Sequence, residues 1–373
     1  MHVCSVIAEF NPFHNGHEYL LTQAKKVTHA DVLVVLMSGN FLQRGEPAIV
    51  DKWQRTKEAL NGQADLVIEL PIYVSMQAAH LFAQGAVQMA SQIHSDYLVF
   101  GSEHPNLDFN VLAAEAKKIS LNTSTYSQSF AGQLFSALYE KTEINLHTAN
   151  DILAFNYFYA NQSLTKPMAL MPIKRHEADH ADATFKGMHF ASSSAIRKAR
   201  LAHNDVFTHF VPKQTAIDLM GQLVSWNDLW PYLKYRLLTA SLAELRTIYG
   251  CSEGIEYRLK TVAPKSTSFE VFLQSLKTKR YTYTHLQRLC LAIALNLKKD
   301  QMRGQVPVYR VLGFNRKGQT YLHKLKEFDI PVLSKIGQKE NAVGYQSTYQ
   351  ADQIYGLLTQ KEQNIGRKPI ISL

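Results

Sequence analysis

The chain has 373 residues, of which 46% are hydrophobic and 19% are charged, a composition typical of a water-soluble protein with two domains. It contains no apolar run of the roughly 20 residues that a membrane span requires, and its amino terminus does not resemble a signal peptide. We therefore expect a cytoplasmic protein that does not enter a membrane. The three cysteines, Cys4, Cys251 and Cys290, lack the spacing of a metal site, so we predict that they are buried residues without chemistry.

Short β-rich segments alternate with helical segments in the first half of the chain. We predict strands over residues 3–8, 32–37, 66–70, 97–100 and 168–172, with helices over 18–27, 52–60 and 76–92. This alternation predicts βαβ units and a Rossmann-like parallel sheet of the α/β class, flanked by helices. Ligands bind such sheets beyond the carboxyl ends of the strands. The loops that follow the predicted strands are therefore the candidate binding loops.

Helical periodicity dominates the second half, over residues 215–224, 229–247, 268–277 and 283–297, with short β segments at 308–312 and 331–333. The net charge of +9 is also unevenly distributed. Residues 1–212 contain 16 Lys and Arg against 19 Asp and Glu, whereas residues 213–373 contain 24 against 12. We predict an α/β domain over 1–212 and a mostly helical, basic domain over 213–373. The basic half fits a phosphate-rich partner, although a basic surface that only maintains solubility is the alternative.

The strongest functional signal is His14-Asn15-Gly16-His17, which follows the first predicted strand and opens a helix. Imidazoles three residues apart lie on one face of the first helical turn, where unpaired backbone N–H groups also attract anions. Gly16 admits a phosphate close to the backbone. In isolation these four residues fit a helix cap and a packed histidine better. Their position after a buried strand instead favours a triphosphate site.

A second candidate phosphate site combines consecutive serines at the start of a helix with Arg197 one turn later. Ser192, Ser193 and Ser194 supply capping hydroxyls and backbone N–H groups, and Arg197 is suited to charge-assisted hydrogen bonds with the same anion. A plain serine cap with a solvent-facing arginine is the simpler alternative. Together with the histidine segment, we interpret these residues as a second contact to the phosphates.

Three further positions follow predicted strands or open a helix. Gly101 would allow close approach of an adenine ring, Asn150 is suited to a ribose or base, and Arg175 to a phosphate or base. The alternatives are a turn glycine at 101 and a helix cap at 150. In the basic half, residues 277–283 interleave cations with aromatic rings, a mixture that binds RNA phosphates and unpaired bases. A solvated charged face is an equally good interpretation of that segment.

With these residues the chain resembles the HIGH-motif nucleotidylyltransferase superfamily, through residues 14–17 and 193–197. More narrowly, it resembles the bacterial tRNA(Met) cytidine acetate ligase family over residues 7–20, 37–60, 100–103, 172–175 and 279–288. The most specific match is the loop of residues 38–53, which we call the acceptor loop and which reads Ser-Gly-Asn-Phe-Leu-Gln-Arg-Gly-Glu-Pro-Ala-Ile-Val-Asp-Lys-Trp.

The resemblance implies a ligase that activates acetate with ATP as acetyl-adenylate and transfers the acetyl group to N4 of the wobble cytidine of elongator tRNA(Met). ATP with Mg²⁺, acetate and tRNA are the implied partners, and no residue set is assigned to a resident metal. The implied catalytic residues are His14, His17 and Arg197. The implied nucleotide contacts are Ile7, Ala8, Glu9, Phe10, Asn11, Pro12, Phe13, His14, Asn15, Gly16, His17, Glu18, Tyr19, Leu20, Gly101, Asn150, Arg175, Ser193 and Ser194. The predicted RNA contacts are Lys277, Lys279, Arg280, Tyr281 and Arg288.

Residues 149–151 read Ala-Asn-Asp where the family pattern is Pro-Asn-Asn, so the sequence leaves open whether Asn150 or Asp151 contacts the nucleotide. Two other functions also remain open. An adenylyltransferase or pantothenate-synthetase-like ligase for a small metabolite would use the same ATP site but leaves the basic half unexplained. A non-catalytic RNA-binding protein would have no need for the complete set of phosphate donors.

Overall fold

A mixed β-sheet forms the centre of the molecule. The structure is a computed structural model that describes residues 1–119, 130–175, 189–252, 254–337 and 344–372. In these residues eight strands form one sheet: β1 Val3–Ala8, β2 Val32–Ser38, β3 Leu66–Leu70, β4 Tyr97–Ser102, β5 Ala169–Lys174, β6 Tyr309–Asn315, β7 Val332–Leu333 and β8 Ile370–Ser372. Strands β1 to β5 are mutually parallel in the order β5-β4-β1-β2-β3. The predicted Rossmann-like parallel sheet is confirmed.

Helices cover the sheet and build most of the second half. In the described residues they are α1 Asn15–Thr28, α2 Lys52–Asn61, α3 Ile72–Ser75, α4 Ala79–Gln92, α5 Phe109–Lys117, α6 Phe130–Thr142, α7 Ala149–Asn161, α8 Ser193–Leu201, α9 Lys213–Leu219, α10 Trp226–Thr239, α11 Leu242–Thr247, α12 Ile255–Val262, α13 Phe269–Leu276, α14 Tyr283–Ala294, α15 Arg316–Glu327 and α16 Gln346–Thr359. Short 3₁₀ turns lie at Asp205–Phe210 and Ala263–Lys265. None of these helices is both long and apolar enough to cross a membrane.

Two long predicted helices have different bounds in the structure, one being shorter and the other divided. The segment 76–92 begins only at Ala79, because the chain first forms the short helix α3 and then passes through a buried Met76. The segment 229–247 breaks at Ala240, and Ser241 starts α11 by accepting a hydrogen bond from the Glu244 backbone while the Glu244 side chain bonds back. Such a capping box satisfies free donors at the new helix start and therefore competes with continuing the first helix.

The strands of the second half extend the sheet of the first half. Strand β6 pairs antiparallel with β3, and β7 and β8 pair parallel with β6. At the amino end of β3, Asp65 accepts hydrogen bonds from the Lys25 and Asn315 side chains, at 3.0 and 2.7 Å. The short β segments near 308 and 331 were predicted, but their place in the same sheet was not. The division at residue 212 stays a prediction.

A buried polar cluster joins the acceptor loop to the end of the chain. The ammonium group of Lys52 lies 2.9 Å from both Glu69 carboxylate oxygens, also pairs with Asp352, and donates to Tyr345 Oη at 3.1 Å. Burial raises the pKa of Asp352, which the Lys52 charge opposes. The backbone N–H of Lys52 donates to Asn40 Oδ1 at 2.8 Å. Helix α16 therefore contacts the acceptor loop through Asp352, which pairs with Lys52.

Candidate active site

The carboxyl ends of β1, β4 and β5 border an open cleft of about 460 Å³. Its walls include His14, Gly16, His17, Tyr19 and Leu20 from the turn after β1 and the first turns of α1. Gly101 and Arg175 border it from β4 and from the end of β5, and the remaining lining residues are Ile173, Lys174, Phe190 and Ala191. The structure thus brings seven of the predicted nucleotide contacts to one cleft.

The two histidines of the motif form a stacked pair. His14 is the N-cap of α1, and its Nδ1 accepts a hydrogen bond from the Gly16 backbone N–H at 3.1 Å. A neutral His14 therefore carries its proton on Nε2. The His14 and His17 rings lie 3.7 Å apart between centroids with a 23° interplanar angle, and the Phe10 ring packs against His17 at 4.9 Å. This packing limits the orientations of both imidazoles.

A hydrogen-bonded cluster surrounds Arg175 at the other wall of the cleft. Its Nε lies 3.7 Å from Glu103 Oε1, and Glu103 also accepts hydrogen bonds from Asn150 and from Thr148 Oγ1. Burial lowers the pKa of the Arg175 guanidinium, against the opposing effect of the Glu103 charge. A Cβ added to Gly101 would lie 3.1 Å from Arg175 Cγ, so the arginine stem lies directly over this glycine.

Asp151 accepts hydrogen bonds that stabilise the loop after β4, whereas Asn150 belongs to the cluster around Glu103. Asp151 is buried and accepts hydrogen bonds from Ser102 Oγ at 2.6 Å, from Thr148 Oγ1 at 2.7 Å and from the His104 backbone at 3.2 Å. Burial opposes ionisation, but these hydrogen bonds hold the pKa of Asp151 below its usual value. Asp151 therefore fixes the loop after β4. Of the two residues, Asn150 is the better placed for a ligand, because its amide bonds to Glu103 beside Arg175.

Arg197 contacts both the acceptor loop and residues 9–17, the turn after β1 with the start of α1, which we call the histidine turn. Its Nη1 donates to the Asn11 carbonyl oxygen at 2.7 Å, and its Nη2 lies 3.3 Å from Glu46 Oε1. Ser192 caps α8 by accepting from the Ala195 backbone at 3.1 Å, so the cap is Ser192 and not the two serines after it. Ser193 and Ser194 lie half-buried in the first helical turn. Ser193, Ser194, Asn150 and Arg197 are not among the residues that border the cleft, and their phosphate and base contacts stay predictions.

Two side chains of the basic half donate hydrogen bonds to the acceptor loop. Trp226 Nε1 donates to the Gly45 carbonyl oxygen at 3.1 Å, and Arg288 Nη1 donates to the Gln43 carbonyl oxygen at 3.3 Å. Gly45 has a φ of +79°, and a Cβ there would lie 2.4 Å from the Arg288 backbone nitrogen, so only glycine fits this close approach. Helices α10 and α14 of the basic half thus contact the loop directly.

The predicted RNA-binding residues differ in their surroundings. Lys279 and Arg280 are exposed, whereas Lys277 is half-buried with its ammonium group 5.6 Å from the centre of the Tyr283 ring. Tyr281 stacks on His285, with ring centroids 5.2 Å apart. Burial lowers the pKa of Arg288 to about 10, and this side chain contacts the acceptor loop. The exposed cations best suited to a phosphate backbone are therefore those at 279 and 280.

Several polar contacts around the site were not predicted from the sequence. Glu9 accepts from the Gln43 backbone, and Glu46 pairs with Arg197, so both acidic residues connect the histidine turn with the acceptor loop. Phe190 borders the cleft two residues before the serine cap at Ser192, and its apolar character near that cap was the available signal. In the described part of the chain, no group of three or more His, Cys, Asp or Glu residues is arranged to hold a metal ion.

Comparison with known proteins agrees with this geometry. Residues 1–368 match the HIGH Nucleotidyl Transferase family. The tRNA(Met) cytidine acetate ligase of Lactiplantibacillus plantarum is 43% identical over 99% of this chain and 98% of its own length. This chain belongs to the tRNA(Met) cytidine acetate ligase family. The ligase of Levilactobacillus brevis is 41% identical over 99% of this chain and 98% of its own length.

Solved structures of the family have the same fold. Thermotoga maritima TmcAL in its apo form superposes with a TM-score of 0.89 at 26% identity, covering 100% of this chain and 99% of the other. The same protein bound with alpha-thio ATP superposes with a TM-score of 0.87 at 26% identity and the same coverage. The family resemblance and the fold class expected from the sequence are therefore confirmed.

Proposed function

We propose that this chain is an ATP-dependent ligase that converts acetate to acetyl-adenylate and acetylates N4 of the wobble cytidine in elongator tRNA(Met). The observation that carries the proposal is the cleft in which the stacked histidines face Gly101 and Arg175, in a chain similar over its whole length to ligases of that name. The tRNA substrate places the reaction in the cytoplasm. ATP enters with Mg²⁺ bound to its phosphates, as part of the substrate.

In the first step an acetate oxygen bonds to the α-phosphorus of ATP, and pyrophosphate leaves. Negative charge grows on the phosphate oxygens, and donors already directed at that space stabilise it without reorganisation. We assign this role to His14, His17 and the backbone N–H groups at the start of α1. Arg197 is assigned to the same phosphates, and it would exchange its Glu46 contact for them. Gly101, Asn150 and Arg175 are assigned to the nucleoside.

In the second step the exocyclic amine of cytidine attacks the acetyl carbonyl carbon and AMP leaves. The amine is a weak nucleophile, so positioning of the two reactants contributes most of the rate. The cytidine must leave its stack to reach the sheet edge, while the basic half holds the tRNA phosphates. The acceptor loop is the connection between the two, because it contacts both the histidine turn and α14.

Acetate-dependent ATP–pyrophosphate exchange, followed by mass analysis of tRNA nucleosides, tests the proposal. A cytidine that gains one acetyl group, only when the protein, ATP and acetate are all present, is the expected result. Exchange with a different acid and unmodified tRNA would contradict it and favour the small-metabolite ligase. Absence of exchange with every acid would leave only the RNA-binding interpretation.

Replacing Gly16 with Ala is expected to lower acetate-dependent exchange by about 5- to 140-fold. The new Cβ would lie 2.9 Å from His14 Cε1 and 3.0 Å from His14 Nδ1, so the ring must move away from its hydrogen bond with the Gly16 backbone. Overpacking of this kind costs about 1–3 kcal/mol, and about 1.4 kcal/mol corresponds to a factor of ten. The control is Gly221→Ala in an exposed turn, which should retain normal exchange. Equal exchange by the two variants would refute the proposed position of His14.

Replacing Lys279 and Arg280 together with Ala is expected to weaken tRNA binding while acetyl-adenylate formation continues. Both residues are exposed, and each phosphate contact that is lost lowers the slope of log affinity against log salt by about one. Filter binding of tRNA across a salt series measures this slope. Lys326→Ala combined with Lys361→Ala, two exposed lysines outside this segment, is the charge-matched control. An unchanged salt slope in the double variant would show that this segment does not contact the tRNA.

A further inference from the structure

Glu9 lies between the histidine turn and the acceptor loop. It directly follows β1, and Phe10 after it has a φ of +51°, so the chain changes direction at this point. Glu9 Oε1 accepts a hydrogen bond from the Gln43 backbone N–H at 2.6 Å, and its backbone oxygen accepts one from Arg55 Nη1 at 2.7 Å. The side chain is therefore held at the junction of the histidine turn and the acceptor loop.

The second carboxylate oxygen of Glu9 remains available. Within the described residues Oε2 accepts no hydrogen bond, and Glu9 as a whole is half-buried. Four other carboxylates near this edge are already engaged: Glu46 with Arg197 and Asn11, Glu103 with Thr148 and Asn150, Asp51 with the first turn of α2, and Glu69 with Lys52 and Tyr345. Glu9 thus differs from them because one of its carboxylate oxygens accepts no hydrogen bond from a described residue and could accept a proton.

The surroundings of Glu9 make it a stronger base than an ordinary glutamate. Burial and the Glu46 charge raise its pKa, and the hydrogen bond from Gln43 and the charges of Arg44 and Arg197 oppose this rise. Arg55 on α2 and Tyr157 on α7 also sense the Glu9 charge. A pKa closer to the working pH improves a general base.

We propose that Glu9 is the proton acceptor in acetyl transfer to the tRNA, an inference that rests on the proposed ligase function. The N4 nitrogen forms a bond to the acetyl carbonyl carbon, and the bond from that carbon to the phosphate oxygen breaks. AMP leaves with the electron pair of that bond. The proton released by N4 passes to Glu9 Oε2, and solvent later removes it, so no further reactant is required.

The test separates the two steps in Glu9→Gln. The amide oxygen of Gln still accepts from the Gln43 backbone, so this change removes the base while preserving the contact. Acetyl-adenylate is formed first on the enzyme, tRNA is added, and the single-turnover rate of transfer is measured beside the rate of ATP–pyrophosphate exchange. We expect transfer to fall about 10²- to 10⁴-fold more than exchange. Glu9→Asp should recover part of the loss, and Glu115→Gln on the surface of α5 is the matched control.

The pH profile provides a readout that a structural role would not change. In the unchanged protein the transfer rate should rise with pH through the Glu9 pKa and then level off, because only the carboxylate accepts the proton. This rise should be absent in Glu9→Gln. Equal losses in transfer and exchange, or transfer at the normal rate, would overturn the proposal for Glu9 while leaving the ligase function intact. Failure of the unchanged protein to form acetyl-adenylate would instead overturn both.

Discussion

His17→Ala is expected to lower acetate-dependent ATP–pyrophosphate exchange by about 100- to 1,000-fold, the usual effect of removing one donor aimed at developing charge. The variant loses the ring that stacks on His14 at 3.7 Å and packs on Phe10 at 4.9 Å, so the orientation of His14 is affected as well. Its tRNA affinity should be unchanged, because the exposed cations at 279 and 280 lie in a different element.

The matched control for this substitution is His203→Asn. His203 is exposed just after α8 and has a φ of +55°, a conformation that Asn adopts more readily than most residues. This variant should retain exchange and tRNA binding. If His17→Ala also retained exchange, the stacked pair would be part of the core, and residues other than His17 would stabilise the charge that develops on the phosphates.

The sequence predicted those features of the site whose signals are local. Strands β1 to β5 are runs of apolar residues with few polar interruptions, and every residue of β2 is buried. The histidine segment begins a helix, and both its position and its cap are encoded within a few residues. The carboxyl edge of a parallel sheet then brings Gly101 and Arg175 to the same cleft without further information.

Contacts between distant segments could not be predicted in this way. Strand β6 pairs with β3 across more than half of the chain, and nothing in the run Tyr309–Asn315 indicates its partner. The role of Arg197 at the phosphates stays a prediction, and its observed partners Asn11 and Glu46 depend on how α8 packs. Asp151 was ambiguous from the sequence because a buried and a ligand-binding carboxylate look alike until their donors are known.

Lys52 is the clearest example of a residue whose contacts depend on a distant segment of the chain. From the sequence it is a lysine in the first turn of a helix, a position that is usually solvated. In the structure its side chain is 0% exposed and pairs with Glu69 and with Asp352, and Asp352 lies 300 residues further along the chain. The three charges come together only when α16 packs against the end of the acceptor loop. The local sequence pattern around Lys52 therefore does not predict the cluster.

Lys52→Met is therefore expected to lower the free energy of unfolding by about 3–5 kcal/mol, because it leaves two buried carboxylates without their counter-ion. Lys57→Met on the same helix is exposed and should change stability by less than about 0.5 kcal/mol. Urea unfolding measures both. Adding Glu69→Gln and Asp352→Asn to Lys52→Met should recover part of the loss, since no uncompensated charge then remains. If the triple variant were no more stable than Lys52→Met, lost packing around α16, and not unpaired charge, would be the cause.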